Sequence, residues 1–150
     1  MHIEQKFTVS ATREQVWKFL LDAPRVGRCM PGVESVETTG PHSFKVVVSV
    51  RIGPVKPRFQ GAVEMTELQP PEHIRLQLDW RDSVTGSKVS APTQIRLDET
   101  APEAVTVTVA GDIAVLGILG KYGQPIAERK AAEIAQEFAA RMQAELASDG

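Results

Sequence analysis

Three histidines, one cysteine and a scatter of carboxylates are the residues of this 150-residue chain best able to move protons, attack carbonyls or hold metals. His2 stands at the terminus, and His42 and His73 stand in turn-like sequence. None has a partner four residues away on a helix or a neighbouring Cys, so they do not make a metal-ligand set. Cys29 precedes Met30-Pro31-Gly32. A nucleophilic thiol needs a base oriented by a third group, and no histidine lies near it in sequence. It reads as a small buried apolar residue. As a lone cysteine it forms no internal disulfide, which fits a reducing compartment. Asp79, Asp82, Asp98 and Asp112 fall at strand edges or turns. Asp79 alternates with Leu78 and Trp80 and so points away from them. Asp112 follows Gly111 close to the last helix and reads as a turn or capping residue. Gly117-Ile118-Leu119-Gly120 follows a strand but lacks G-x-G-x-x-G spacing. The residues assign no catalytic group, no metal and no cofactor.

Composition narrows the classes further. Apolar residues make up 42% and charged residues 24%, an ordinary globular balance, while aromatics are scarce at 5%. The net charge of -2 lacks the basic stripe a nucleic-acid binder uses to neutralise phosphates. Glu4 and Lys6 interrupt the start, so no signal-peptide apolar region is present. The longest strongly apolar stretch, Ala114 to Leu119, is far short of the roughly 20 residues that span a bilayer. These features predict a soluble cytoplasmic protein with one domain over residues 1–147 and a short tail at 148–150.

The elements that must position any site follow from periodicity. His2 to Val9 alternates and reads as a strand. Thr12 and Gln15 have capping-box spacing, and Val16, Phe19 and Leu20 form the buried stripe of the helix that follows. Ala23 to Met30 reads as a second short helix ended by Pro31-Gly32. Period two then dominates: Val33 to Thr39, Phe44 to Ile52, Phe59 to Met65, Ile74 to Arg81, Val89 to Leu97 and Val105 to Val109. Pro92 inside the fifth of these predicts an edge position or a bulge. After Gly117, Gly120 and Gly123, the stretch from Pro125 to Ala147 has no further Gly or Pro. It is long enough for roughly 34 Å of helix, with Ala127, Ala131, Ile134, Phe138 and Met142 as its apolar stripe. The fold class is therefore α+β: a curved antiparallel seven-stranded sheet gripping a long C-terminal helix, with one or two short helices after the first strand.

Eight alanines lie on that helix between Ala127 and Ala147. A slim rod against a wide concave sheet leaves two outcomes open. Either the core packs fully, or an apolar space remains for a ligand. In the second case its walls are Val46, Val48, Val63, Leu76, Leu78, Trp80, Ile95, Val107, Ile134 and Phe138. An enzyme in the same fold (a hydrolase, cyclase or dehydratase acting on an apolar substrate) needs inward polar groups. Thr93 and Asp112 are the candidates, joined by Asp79 or Asp82 only if the face assignment is reversed. A purely structural adaptor with a filled core is the third reading.

Four segments carry a resemblance: Gly27-Arg28-Cys29-Met30-Pro31-Gly32-Val33-Glu34, Val50-Arg51-Ile52-Gly53-Pro54-Val55-Lys56, Phe59-Gln60-Gly61 and Val109-Ala110-Gly111-Asp112-Ile113-Ala114. Together they resemble the carbon monoxide dehydrogenase G-subunit family of the START-like, helix-grip (SRPBCC-type) superfamily, over roughly Ile3 to Met142. The resemblance implies a non-catalytic accessory protein. It would bind a lipid-like or quinone ligand and help recruit a molybdenum-containing carbon monoxide dehydrogenase-type hydroxylase to the cytoplasmic face of the membrane. It also implies that Cys29, Met30, Pro31 and Gly32 form a loop beside the cavity mouth, and that Gly53, Pro54 and Val55 match a hairpin break of the family. Met30 would line the portal. Many members continue beyond the long helix with an apolar or amphipathic tail. Here the sequence stops at Gly150, so either that tail is missing or membrane contact runs through the enzyme partner or an apolar loop. Ala114 to Leu119 is such a loop, although Val115, Leu116, Ile118 and Leu119 are expected to be buried.

Overall fold

The computed structural model describes residues 1–149. Gly150, the last residue of the expected tail, lies outside them. The chain runs β1 (His2–Val9), α1 (Arg13–Leu21), α2 (Ala23–Cys29), β2 (Val33–Gly40), β3 (Ser43–Ser49), β4 (Arg58–Gln69), β5 (His73–Asp82), β6 (Lys88–Ala101), β7 (Ala104–Asp112) and β8 (Ala114–Leu116). A 3₁₀ turn (Ile118–Tyr122) then leads into α3 (Gly123–Asp149).

The strands form one antiparallel sheet in the order β1-β7-β6-β5-β4-β3-β2, with β8 also paired to β6. This is the predicted seven-stranded sheet with one strand interrupted. The β6–β7 ladder reaches Thr93↔Gly111 and resumes in the same register as Ser90↔Ala114 of β8. Pro92, which has no N–H to give, stands in the gap. It occupies a strand with neighbours on both sides, so the expected edge position is corrected: the proline marks a break in one ladder. A second difference is at β3, which ends at Ser49 rather than Ile52. Beyond it, Ile52 and Val55 pair in a tight turn (Ile52 N to Val55 O, 2.9 Å), with Pro54 between them.

The short helices form where the caps place them. The Gln15 backbone N–H donates to Thr12 Oγ1 (3.1 Å), and the Thr12 N–H donates to Gln15 Oε1 (2.8 Å), which completes the capping box. Asp22 caps α2 through the Arg25 N–H (3.3 Å). The residues predicted to form a tail are partly helical, because α3 continues to Asp149. Arg25 binds Asp149 (2.8 Å) and Glu145 (3.4 Å), which ties α2 to the end of the long helix.

The packed core lies at the C-terminal end of α3. Among the described residues of that helix only Phe138, Met142 and Leu146 are buried, and they meet Val9, Val16, Phe19, Leu97, Val105 and Val107. α3 rests on β1 and on α2, while α2 rests on β2. The two edge strands of the sheet are thus bridged by helices, and the middle strands face the space between.

Candidate functional site

In a filled sheet the inward residues of central strands are the most deeply covered. Here they are not. Val63 on β4, Leu76, Leu78 and Trp80 on β5, and Ile95 on β6 all keep partial exposure, although each strand has a neighbour on both sides. The surface they expose is the wall of a cavity of about 420 Å³. That size lies within the range of small-molecule sites. Of the two outcomes open from sequence, the ligand-sized space is the one formed.

Met30, Val46, Val48, Val63, Leu76, Leu78, Trp80, Ile95, Val107, Ile134 and Phe138 all line this cavity. The structure brings together every residue the alternation placed on its wall. It adds a group that sequence reasoning missed. Ala23, Val26 and Gly27 of α2 also line it, ahead of Met30, and the four stand at i, i+3, i+4 and i+7. That is the spacing of one helical face, a signal present in the sequence. Ile3, Gln5 and Phe7 of β1 join by simple alternation.

Cys29, Pro31, Gly32, Gly53, Pro54 and Val55 are not in the cavity wall. Cys29 is 2% exposed and packs into the core. Burial pushes its thiol pKa up, which disfavours the thiolate. Gly32 has φ +86°, and a Cβ there would stand 2.1 Å from the Ser49 carbonyl oxygen, so this position admits only glycine. Gly53 lies against the Tyr122 ring. Pro54 is exposed and Val55 half-buried.

Among the described residues no ionisable side chain lines the cavity. Asp112 is exposed and meets His2 (Nδ1 to Oδ1, 2.8 Å) outside it. Asp79 and Asp98 are exposed, as is His42, and the His73 ring contacts Gln94 (3.0 Å). Asp82 is fully buried, but its carboxylate accepts from the N–H groups of Arg58 (2.8 Å), Val84 (3.0 Å) and Thr85 (2.8 Å) and from the Thr85 hydroxyl. Burial pushes its pKa up; those donors outweigh it and hold the carboxyl below its ordinary value. The same knot reaches the 3₁₀ turn, because Ser87 Oγ accepts from the Leu119 N–H (3.2 Å). Asp82 is therefore the anchor of a loop. Among the described residues no group of three or more His, Cys, Asp or Glu is placed to hold a metal.

The polar side chains on the wall are Gln5, Thr93 and Trp80. The Thr93 hydroxyl donates to the Ala91 carbonyl (3.2 Å). The indole Nε1 of Trp80 is buried and has no hydrogen-bond partner among the described residues.

The apolar segment after β7 corrects an expectation. Leu119 is buried and Val115 half-buried, but Leu116 is 67% exposed and Ile118 54% exposed. Val84, at 66%, is the other large hydrophobic residue exposed by more than half among the described residues. β8 is only three residues long and has β6 on one side, so its alternation turns Leu116 outward beside Lys88.

No helix among the described residues is long and apolar enough to cross a membrane. Solved structures share the fold. A conserved protein from Geobacillus kaustophilus matches with 24% identity and TM-score 0.89, over 99% of this chain and 96% of that one. A START superfamily protein from Mycobacterium smegmatis matches at 14% identity and TM-score 0.72, over 99% of both chains. The Zhui aromatase/cyclase from Streptomyces sp. R1128 matches at 17% identity and TM-score 0.61, over 99% of this chain and 92% of that one. No protein of curated function matches the sequence. The model of the CoxG family, described as the G subunit of carbon monoxide dehydrogenase, matches residues 6–147, and the chain belongs to that family.

Proposed function

We propose that this protein is a non-catalytic accessory subunit that carries a neutral, largely hydrocarbon ligand, lipid-like or a quinone, in its cavity. It serves a molybdenum-containing hydroxylase of the carbon monoxide dehydrogenase type at the cytoplasmic face of the membrane. The observation that carries the ligand half is a cavity of about 420 Å³ whose described wall holds no ionisable side chain. Such a wall favours a neutral apolar guest and opposes a charged one, since nothing offsets the cost of stripping water from a buried charge. The eleven lining residues forecast from sequence are its contact surface. The turn at Pro31–Gly32 and the loop at Gly53–Val55 are the segments open to the enzyme partner, whereas Cys29 is withdrawn into the core.

The membrane half rests on the exposed tip. The segments 50–58, 81–88 and 113–125 carry six Lys or Arg and one acid, Asp82, in a chain whose net charge is -2, and of the six Arg58 is paired with Glu34 (3.0 Å). Val84, Leu116 and Ile118 stand among these cations. Exposed aliphatics ringed by basic residues suit an anionic lipid surface.

An enzyme in the same fold is the competing reading, and one structural neighbour is an aromatase/cyclase. General acid–base chemistry needs a titrating group within reach of the substrate, and the wall supplies only Thr93, Gln5 and Trp80 as polar side chains. Native mass spectrometry of the purified protein, before and after organic extraction, tests the carrier reading. A co-purifying or re-loadable isoprenoid or lipid is expected. Failure to carry or accept any apolar molecule would sink the ligand half, and failure to co-purify with the hydroxylase would sink the partner half.

A further inference from the structure

The outer face of the sheet carries a second concavity, separate from the ligand cavity. A groove of about 340 Å³ crosses β4, β5, β6 and β8 near the tip, with Gln60, Asp79, Arg81, Lys88, Ser90 and Leu116 along it. Strand register sets these residues in two rows. Gln60, Arg81, Lys88 and Leu116 form the first, and Ala62, Asp79, Ser90 and Ala114 the second. Arg81 and Lys88 therefore stand directly opposite each other on neighbouring strands.

Like charges directly opposed across two strands destabilise a sheet, and the rest of this sheet avoids them. Elsewhere among the described residues, where Asp or Glu and Lys or Arg are cross-strand partners, the signs differ: Glu37 faces Lys45, and Glu67 faces Arg75. Arg81 and Lys88 are both exposed, and neither forms an ion pair among the described residues. Asp79, the acid on the groove, accepts instead from the Gln77 amide (3.2 Å). Opposed residues hold their Cβ atoms about 5 Å apart, so a guanidinium and an ammonium can close on one phosphate. The arginine offers two parallel N–H donors and the lysine a point charge.

The surroundings of the pair select the source of that phosphate. Val84 lies in the loop that joins Arg81 to Lys88, Leu116 is paired with Lys88 across the β6–β8 ladder, and Ile118 follows two residues later. These three are the large aliphatics exposed by more than half among the described residues. The other basic segment of the tip, with Arg51 and Lys56, lacks such a neighbour, because Ile52 and Val55 are half-buried. A free phosphate makes no use of exposed aliphatics. A phospholipid does, since its phosphate stands where the acyl region begins.

We infer that the groove holds the phosphate of an anionic phospholipid between Arg81 and Lys88, with Val84, Leu116 and Ile118 entering the acyl boundary beside it. This rests on the membrane reading above and deepens it. Contact is made by the β5–β6–β8 corner rather than by all the cations of the tip as a group, and that corner sets the tilt of the protein on the bilayer.

Sedimentation with vesicles of equimolar phosphatidylglycerol and phosphatidylcholine tests it, using two double variants that remove equal charge from the same end of the molecule. Arg81→Gln with Lys88→Gln should lower the partition coefficient by about thirtyfold, about fivefold for each cation. Arg51→Gln with Lys56→Gln should lower it by less than about fivefold. All four side chains are exposed, so both variants keep the fold, which urea denaturation checks. Arg81→Lys is a milder third variant that keeps the charge and loses the fork; it should still weaken binding by at least about threefold. Equal losses from the two double variants, or Arg81→Lys matching the wild type, overturn the groove site and leave the membrane reading intact. Displacement from the vesicles by millimolar inorganic phosphate at constant ionic strength overturns the lipid assignment in favour of a free anion. A groove variant that keeps vesicle binding but no longer co-purifies with the hydroxylase overturns it in favour of the enzyme partner. Wild-type protein that does not sediment with these vesicles overturns the membrane reading and the groove site together.

Discussion

The two halves of α3 do opposite work. From Phe138 onward the helix buries Phe138 (7%), Met142 (0%) and Leu146 (3%) against α1, β1, β6 and β7, and Arg25 clamps its end. From Gly123 to Glu137 it buries no residue at all, and Ala131, Ile134 and Ala135 form part of the cavity wall. One continuous helix is a core element at one end and a roof at the other. Side-chain size makes the difference: Phe and Met fill the space between helix and sheet, whereas Ala leaves it open.

The sharpest way to break this comparison is paired truncation. Met142→Ala should cost about 4 kcal/mol, as expected for a fully buried side chain whose neighbours cannot close the hole. Ile134→Ala should cost only about 1 kcal/mol, because the removed atoms border a space that already exists. Urea denaturation measures both, and equal costs would mean that the halves are packed alike.

Next in size is the acid response of the open end, where Asp82 anchors the loop beside β6. A folded pKa below the unfolded one stabilises the fold above the unfolded value, and that contribution disappears as pH falls through the folded value. Asp82→Asn should therefore cost about 2 kcal/mol at pH 7. The gap to wild type should narrow as pH drops below the unfolded value of 3.8. A gap that stays constant down to about pH 2, below the usual carboxylate range, would contradict the assignment.

Filling the roof sharpens the comparison from the other side. Ala131→Leu should change stability by less than about 1 kcal/mol, since the larger side chain enters empty space rather than a packed core. The same change should weaken binding of an apolar probe at least about tenfold. The smallest stability effect belongs to the tip. Leu116→Ser with Ile118→Ser should shift unfolding by less than about 0.5 kcal/mol, because both side chains are exposed. Sedimentation with phosphatidylglycerol vesicles should nevertheless fall, and an unchanged vesicle-bound fraction would remove these residues from the membrane contact.

Much of this was legible in the amino-acid sequence. Alternation in Leu76, Leu78 and Trp80 placed them on the cavity side, and Thr12 with Gln15 marked the start of α1, because both patterns are local consequences of backbone geometry. The helical stripe of Ala23, Val26, Gly27 and Met30 is equally local, but a stripe that short, with Ala and Gly in it, barely differs from a turn. Leu116 and Ile118 were expected to be buried because apolar runs usually are. Only the three-residue length of β8 and the break opposite Pro92 turn Leu116 outward, and both depend on pairing with β6, far off in sequence, while Ile118 is exposed in the 3₁₀ turn that follows.

The sequence by itself determined the order of elements, the inward faces of the strands and the family. Whether those faces meet across a filled core or an open space was left to the tertiary structure. That outcome depends on how far the sheet curves and where α3 rests, on β1 and α2 rather than across the central strands. Periodicity says which way a side chain points, but the distance to the opposite wall is a property of all the elements together. The unmet N–H of Trp80 is of the same kind, since an absent partner can be seen only when every neighbour is in place.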